Sequence, residues 1–138
     1  MKLEIVTPDR IAYTGEADAV ILPSVDGQVG ILPGHIPLIA VLEPGEIEVL
    51  RQGDREFLAV DRGFAEVVSD RISVITEGAI EVTDIDPHAA EEAEKRAREE
   101  LEKAKDENMD PADIERLEGS FRFAIAKKLA AGRHRGIY

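Results

Sequence analysis

The residue types that most often carry catalysis or bind metal ions are widely spaced in this sequence. Its three histidines, His35, His88 and His134, share no metal-binding spacing such as HxxxH. None of the four serines lies in a GxSxG nucleophile elbow, and the sequence contains no phosphate-binding loop and no GxGxxG motif. Acidic residues are abundant, but they lie in turns and on helix faces, where solvation accounts for them. These patterns predict a non-enzymatic chain with no catalytic residue and no metal site.

The most distinctive stretch runs from Gly27 to Leu38 and reads GQVGILPGHIPL. Glycines on both sides of an apolar triplet predict a strand between tight turns. Pro33-Gly34 fits a type II turn, in which the glycine supplies the positive φ angle. His35, which follows, has two explanations: its ring bonds the nearby backbone of the turn, or it contacts a partner.

Composition narrows the function further. The chain has 138 residues, enough for one ordinary domain or two small ones, and carries 29 acidic against 17 basic side chains. A net charge of -12 and the absence of Trp argue against nucleic-acid binding, which needs a basic face and stacking platforms. No cysteine is present, which excludes disulfides and thiolate metal sites. No apolar run is long enough to cross a membrane, and the N-terminus does not read as a signal peptide, so we expect a soluble intracellular protein.

Up to residue 84 the sequence is divided by Gly and Pro into short, β-branched apolar runs. Many short strands separated by turn signals favour an antiparallel β-sandwich or barrel, and no room is left for the helical crossovers of a parallel sheet. The predicted strands are Lys2–Thr7, Ala19–Leu22, Val29–Leu32, Ile47–Leu50, Glu56–Val60, Phe64–Val68 and Ile72–Thr76.

Residues 85–138 have a helical character. Asp86-Pro87 and Asp110-Pro111 each pair an N-cap residue with a proline at the first helical position. Residues 106–109 form a short connection, so the two helices are predicted to fold back as an antiparallel hairpin, the second ending before Gly132. We expect 132–138 to be a disordered tail. The fold class is therefore α+β, with a sandwich over 1–84 and a helical hairpin over 85–138.

The predicted helix faces are apolar but unequal. The first helix presents mostly small residues and the second bulkier ones. Gly119-Ser120 weakens the middle of the second helix by about 1 kcal/mol relative to alanine. We infer that the hairpin is a conditional element, folded when docked and able to open. The two stripes are Ala89, Ala93, Ala97, Leu101 and Ala104 on the first helix, and Ile114, Leu117, Phe121, Ala124 and Ile125 on the second.

Charge is divided between the two parts. Residues 1–84 carry 16 acidic and six basic side chains, whereas residues 120–138 carry five basic side chains and no acid. The basic segment has two explanations that remain open. It meets an acidic protein surface, or its cations simply favour the negative end of the helix dipole.

Several blocks, taken in order, resemble the epsilon subunit of F-type ATP synthase. They are VGILPGHIPL at 29–38, PGE at 44–46, RGFAEV at 62–67 and SVI at 73–75. The GILPGHxPL block is the most specific of them. The resemblance covers residues 1 to about 131 and includes the order of sandwich first and helical hairpin second.

The resemblance implies a small non-catalytic subunit of the rotor, peripheral on the cytoplasmic face of a bacterial membrane or the stromal face of a thylakoid. Its sandwich is expected to join the gamma subunit to the c-ring, so that a proton gradient drives ATP synthesis. Its hairpin is expected to extend into the alpha/beta catalytic head and inhibit ATP hydrolysis. No cofactor, nucleic acid or direct membrane insertion is implied.

The resemblance also assigns candidate partner-binding residues. Gln28 is placed in the ring-facing loop and His35 in the gamma-facing turn, together with the block residues Gly30, Leu32, Pro33 and Gly34. The residues expected to contact the acidic surface of the beta subunits are Arg116, Arg122, Lys127 and Lys128. They would make charge-assisted hydrogen bonds to its carboxylates. Solvation alone also explains any one of these four.

The chain departs from the pattern of the family's ATP-binding members. Those members carry an I/L-D-x-x-R-A motif where this chain reads IDPHAA at 85–90, so that Ala89 replaces the arginine. Phe123 also occupies the position of a second-helix arginine. We therefore expect ATP to bind weakly if at all, on Asp86, Arg116 and Lys127.

A rival hypothesis is a transcription or chaperone accessory factor that inserts a helical hairpin into its partner. The acidic loop of Asp106, Glu107 and Asp110 would then hold Mg²⁺. Factors of that kind place the hairpin before the β domain, which is the opposite order. An enzyme that uses a carboxylate pair in the sandwich is a third and more distant hypothesis.

Overall fold

The computed structural model describes residues 1–81 and 84–135, with side chains as far as Ala131, as ten strands followed by two helices. The strands are β1 Lys2–Val6, β2 Ile11–Glu16, β3 Ala19–Ser24, β4 Gly27–Ile31, β5 Leu38–Leu42, β6 Gly45–Arg51, β7 Asp54–Val60, β8 Gly63–Val68, β9 Arg71–Thr76 and β10 Ala79–Glu81. The helices are α1 Pro87–Asp106 and α2 Pro111–Arg135.

The strands form one continuous sheet in the order β10-β7-β6-β3-β5-β8-β9-β1-β2, with β4 also paired to β3. β3 and β5 meet at a single residue pair, Ser24 with Leu42, and there the sheet folds over on itself. Buried residues of both parts belong to one hydrophobic cluster, which confirms the sandwich. We call β10, β7, β6, β3 and β4 the helix-side layer, and β5, β8, β9, β1 and β2 the open layer.

The core between the layers is formed by the side chains of each strand that point inward. Leu3 and Ile5 of β1 lie opposite residues such as Leu22 of β3 and Ile47 of β6, and all four are fully buried. Alternation with a period of two places one set of side chains inside and the other outside. The cluster draws all its members from residues 1–79, so the sandwich has a complete core without the helices.

Three of the ten described strands were not predicted. In addition, one pair of strands is parallel, although an antiparallel sandwich was predicted. β2, β5 and β10 were missed because β2 contains Gly15, β5 is apolar throughout, and β10 has only three residues. β1 pairs with β9 in parallel. No tight turn connects these two strands, so nothing in the chain imposes the antiparallel direction on them.

The predicted hairpin is confirmed at its start and at its loop. The carboxylate of Asp86 accepts the backbone N–H of His88 at 3.0 Å, and that of Asp110 accepts the N–H of Ala112 at 2.9 Å. α2, however, continues through Gly132 to Arg135, so the predicted end before Gly132 was wrong. A single glycine costs a helix about 1 kcal/mol, which is too little to end it without a following proline. Residues 136–138 of the predicted tail lie outside the described residues.

The buried face of α1 is also shifted from its prediction. Ala89 is exposed, and the buried residues are Ala90, Glu94, Leu101 and Ala104. Of the predicted stripe, Leu101 and Ala104 are buried and Ala93 and Ala97 are partly buried, whereas Glu94 was not predicted because an unpaired carboxylate is costly to bury. Glu94 is instead paired with cations, which makes its burial tolerable.

Gly63 provides a stability test of the sheet. A Cβ atom placed there would lie 2.7 Å from Cα of Thr76, because β8 and β9 approach closely at this pair. We expect Gly63→Ala to lower the free energy of unfolding by about 1–3 kcal/mol in urea denaturation, since backbone must shift to make room. Gly30→Ala is the control, because a Cβ atom at that position would have nothing within 4 Å and the φ of Gly30 is not positive. An unchanged urea midpoint for Gly63→Ala would contradict this packing.

Candidate functional site

The conspicuous 27–38 stretch forms β4 and the turn that follows it. β4 pairs only with β3 among the described strands, and Gln28, Gly30 and Leu32 are exposed. The turn at Pro33-Gly34 is confirmed as type II, because Gly34 has a φ of +82° and the N–H of His35 donates to the carbonyl of Leu32 at 3.1 Å. The backbone and side chains at this edge are therefore exposed.

A contact with the open layer fixes the turn. The N–H of Gly34 donates to the Asp70 carboxylate, with an N to Oδ1 distance of 2.9 Å. His35 is half-buried, and its Nδ1 lies 2.7 Å from the carbonyl oxygen of Ile36. This is the local turn bond that was one of its two explanations. Because the carbonyl oxygen can only accept, Nδ1 is the donor in this contact.

A second surface was not predicted. Val41, Phe64 and Ile75 follow one another across β5, β8 and β9 as direct cross-strand partners, and Val6 of β1 pairs with Ile75 next along the row. The first three are 56%, 47% and 50% exposed. They line one side of an apolar groove of about 560 Å³. We call Val6, Val41, Phe64 and Ile75 the apolar row.

A signal for the apolar row was present in the sequence. The strand segment LIAVL at 38–42 is apolar in both phases of the alternation, and Ile75 adds one large apolar residue to the outward phase of β9. A strand with one solvated face normally alternates apolar and polar residues. Ile39 beside the row, 73% exposed, extends the same pattern.

The opposite face of the sandwich is covered by the hairpin. Ala59 of β7 is buried in a cluster with Ile85, Ala90, Ala130 and Ala131. Partly buried aromatic and aliphatic side chains pack around this cluster, namely Phe57, Ile80 and Phe123. The two outer faces of the sandwich thus differ, because one is closed by the chain's own helices and the other is bare.

The four basic candidates of α2 all have partners in this closed arrangement. Arg116 pairs with Asp113 at 3.2 Å, and Arg122 pairs with Glu43 of the sandwich at 3.0 Å. The ammonium of Lys127 lies 4.6 Å from the ring centroid of Phe123.

Lys128 makes the contact that joins the two helices. Its Nζ lies 3.5 Å from the carboxylate of Glu94, which also accepts from Arg98 one turn further along α1. The Glu94 side chain is only 7% exposed, so two cations compensate one buried carboxylate. Lys105 and Glu118, 3.7 Å apart, form a further contact near the other end of the hairpin.

The three residues considered for ATP are not brought together. Asp86 caps α1 at the end of the hairpin where Ile85 and Ala90 meet Ala130 and Ala131. Arg116 lies at the other end, about 16 Å from Lys127 along the axis of α2. Within residues 1–81 and 84–131, no three His, Asp or Glu side chains are grouped as metal ligands. None of the described helices is both long enough and apolar enough to span a bilayer.

The structure thus combines a β-sandwich that carries an exposed apolar row on one face with a helical hairpin docked on the other face. Residues 1–82 match the family described as ATP synthase, Delta/Epsilon chain, beta-sandwich domain. An ATP synthase epsilon chain of Chloroflexus aggregans is 40% identical over 95 residues, covering 69% of this chain and 68% of that protein. The epsilon chain of Halalkalibacterium halodurans is 38% identical over 133 residues, which cover 96% and 98% of the two chains.

Solved structures share the fold. A chain in the cryo-EM structure of the Euglena gracilis mitochondrial ATP synthase, OSCP/F1/c-ring in rotational state 1, has a TM-score of 0.71 at 22% identity. The match covers 99% of this chain and 80% of that one. This chain belongs to the ATP synthase epsilon-chain family, whose members are stalk subunits and not the catalytic subunit.

The separation of Asp86 from Arg116 leads to a prediction about nucleotide. A triphosphate needs several converging cations, and of the two basic candidates Arg116 and Lys127, only Lys127 lies toward the Asp86 end of the hairpin. We expect ATP to bind the full chain with a Kd weaker than about 1 mM in isothermal titration. Arg116→Gln should leave that weak binding unchanged. Micromolar binding of ATP would contradict the prediction.

Proposed function

We propose that this epsilon chain joins the central stalk of a proton-translocating F-type ATP synthase to its c-ring, and that its hairpin inhibits ATP hydrolysis. The observation that carries the first part is the bare apolar row on the open layer. An exposed row of large apolar side chains across four strands is costly in water and suits a protein interface. The sandwich has its own complete core and does not need this face for folding.

The gamma subunit is the partner proposed for the open layer, because the hairpin already covers the other face. The exposed edge of β4 with its turn is proposed to lie near the c-ring and gamma, with Gln28, Gly30, Leu32, Pro33, Gly34 and His35 as the candidate contacts. Family membership favours this assembly over a transcription or chaperone factor. The chain would then be peripheral to the membrane, on its cytoplasmic or stromal face.

Inhibition is supported by the exposure of the basic side chains on α2 and by the ion pairs that they make. Lys128 pairs with the buried carboxylate of Glu94, whereas Arg116 and Arg122 are 72% and 50% exposed and pair with carboxylates that are 45% and 42% exposed. Exposed ion pairs of this kind contribute about 0–1 kcal/mol each, so they can be exchanged for other carboxylates at little cost. In the open hairpin, we propose that they pair with acidic residues of the beta subunits in the catalytic head.

Stalk binding is tested by a charge placed in the apolar row. We expect Phe64→Glu to weaken capture of this chain by the gamma subunit by roughly tenfold or more, because a carboxylate would have to be desolvated in the interface. The measurement is gamma binding by surface plasmon resonance. Leu129→Glu is the matched control, since Leu129 is similarly exposed but lies on the hairpin. Equal loss in both variants would contradict the assignment of the open layer.

Inhibition is tested on the epsilon-free catalytic head with gamma attached. We expect the full chain to lower ATP hydrolysis, and a chain cut after Thr83 to bind without lowering it. Arg122→Gln, Lys127→Gln and Lys128→Gln together should also relieve inhibition, since each lost charge-assisted hydrogen bond removes about 1.5–3 kcal/mol. The same changes at Lys95, Arg96 and Lys103 of α1 are the charge-matched control. Inhibition that survives both the cut and the α2 changes would sink this part of the proposal.

A further inference from the structure

Arg62 lies in the tight connection between β7 and β8, and its backbone is firmly held. Its N–H donates to the carboxylate of Asp61 at 2.7 Å, and its carbonyl accepts from the N–H of Glu77 at 3.1 Å. The hydroxyl of Thr76 donates to the same carbonyl at 3.0 Å. The side chain of Arg62 therefore leaves the sandwich from a fixed point.

The Arg62 guanidinium enters a notch in α2 that Gly119 creates. A Cβ atom built on Gly119 would lie 2.9 Å from Cζ of Arg62 and closer still to Nη2. Nη2 also donates to the backbone carbonyl of Arg116 at 3.4 Å. Gly119 is buried although it lies in the middle of a helix. Glycine is a poor helix former, and its presence here is explained because the absence of a side chain leaves room for the Arg62 guanidinium.

Glu43 holds the same stretch of α2 from another part of the sandwich. It follows β5, and its N–H donates to the carbonyl of Pro23 at 2.9 Å. Its carboxylate forms an ion pair with Arg122, with 3.0 Å between Oε2 and Nη2. Glu43, Arg62, Gly119 and Arg122 line one small cavity of about 340 Å³ between the sandwich and α2.

We propose that Arg62 and Glu43 form a clasp on α2, centred on Gly119, that sets the fraction of molecules with a docked hairpin. The clasp binds the helix at Arg116 and Arg122, which are two of the residues proposed to reach the catalytic head. A chain cannot use Arg122 in both places, so the Arg122–Glu43 pair must be released before Arg122 contacts the head. This regulatory role rests on the proposed inhibitory function of the hairpin.

Gly119→Ala tests the notch without removing any charge. Alanine favours the helix equally in the docked and open states, provided that α2 stays helical in both, but it excludes Arg62 only in the docked state. The chain has no cysteine, so Asp54→Cys with Met109→Cys places two spin labels on the sandwich and at the tip of the hairpin. Pulsed EPR distances then report docking in the full-length chain.

We expect Gly119→Ala and Arg62→Ala each to raise the ratio of open to docked molecules by about threefold or more, as for the loss of a partly exposed contact. Ser120→Ala, the exposed neighbour on the same helix, is the matched control and should leave the distances unchanged. In the Arg62→Ala chain, Gly119→Ala should add nothing, because the two residues act through one contact. The clasp would be overturned if the two substitutions raised the ratio of open to docked molecules independently, so that their effects multiplied in the double variant. It would also be overturned if Gly119→Ala left the EPR distances unchanged.

Glu43 is tested by charge exchange. Glu43→Gln should open the hairpin, and Glu43→Arg combined with Arg122→Glu should restore docking, because the pair is re-formed with its charges reversed. Failure of the exchange to restore docking counts against the role of this pair. The EPR readout uses the free chain and does not depend on the catalytic head. If the wild-type chain fails to inhibit hydrolysis, the proposed function fails, while the distances still decide whether the clasp exists.

Discussion

The contact between the hairpin and the outer face of β7 is the interaction on which the behaviour of this molecule depends. Its buried members are Ile85 and four alanines, at positions 59, 90, 130 and 131. Alanines allow close approach but bury little apolar area each, and area is what the hydrophobic effect rewards, at about 25 cal/mol per Å². The fully buried part of the docking contact is therefore small, and the partly buried Phe57, Ile80 and Phe123 together with a few polar contacts complete it. A contact of this kind can be reversed, whereas the sandwich core cannot be opened without unfolding.

The sandwich gains its stability between its two layers, and this leaves both outer faces available for other contacts. On the helix-side layer, β7 is apolar in both phases and the hairpin covers the outer one. On the open layer, β5 is also apolar in both phases, and no described residue of this chain covers its Val41 or the neighbouring Phe64 and Ile75. The same rule of alternation explains both faces. Outward-facing apolar side chains are stabilised when something packs over them. On the helix-side layer the hairpin of the same chain does so, and on the open layer we propose that a partner subunit does.

Local chemistry made much of the fold predictable. Asp86 and Asp110 were recognisable as helix caps, and Pro33-Gly34 as a type II turn, because each depends on side chains within a few residues. Features that depend on contacts between residues distant in sequence were not predictable. The burial of Glu94 requires Lys128 from the other helix, and the value of Gly119 requires Arg62 from the sandwich. On its own, Gly119 was expected only to weaken α2; with Arg62 in place it is a position where a side chain of the sandwich packs against the helix backbone.

The division of charge has a consequence within the molecule itself. An excess of acid on residues 1–84 and of base on the last part of α2 suggested a basic segment that meets an acidic protein surface. In the closed chain, part of that surface is its own sandwich, since Glu43 holds Arg122. Any external acidic partner must compete with these internal carboxylates for the same cations. Because the competing pairs are half exposed and individually weak, the balance between docked and open hairpins is set by differences of only a few kcal/mol, which is the range in which a partner can shift a two-state equilibrium.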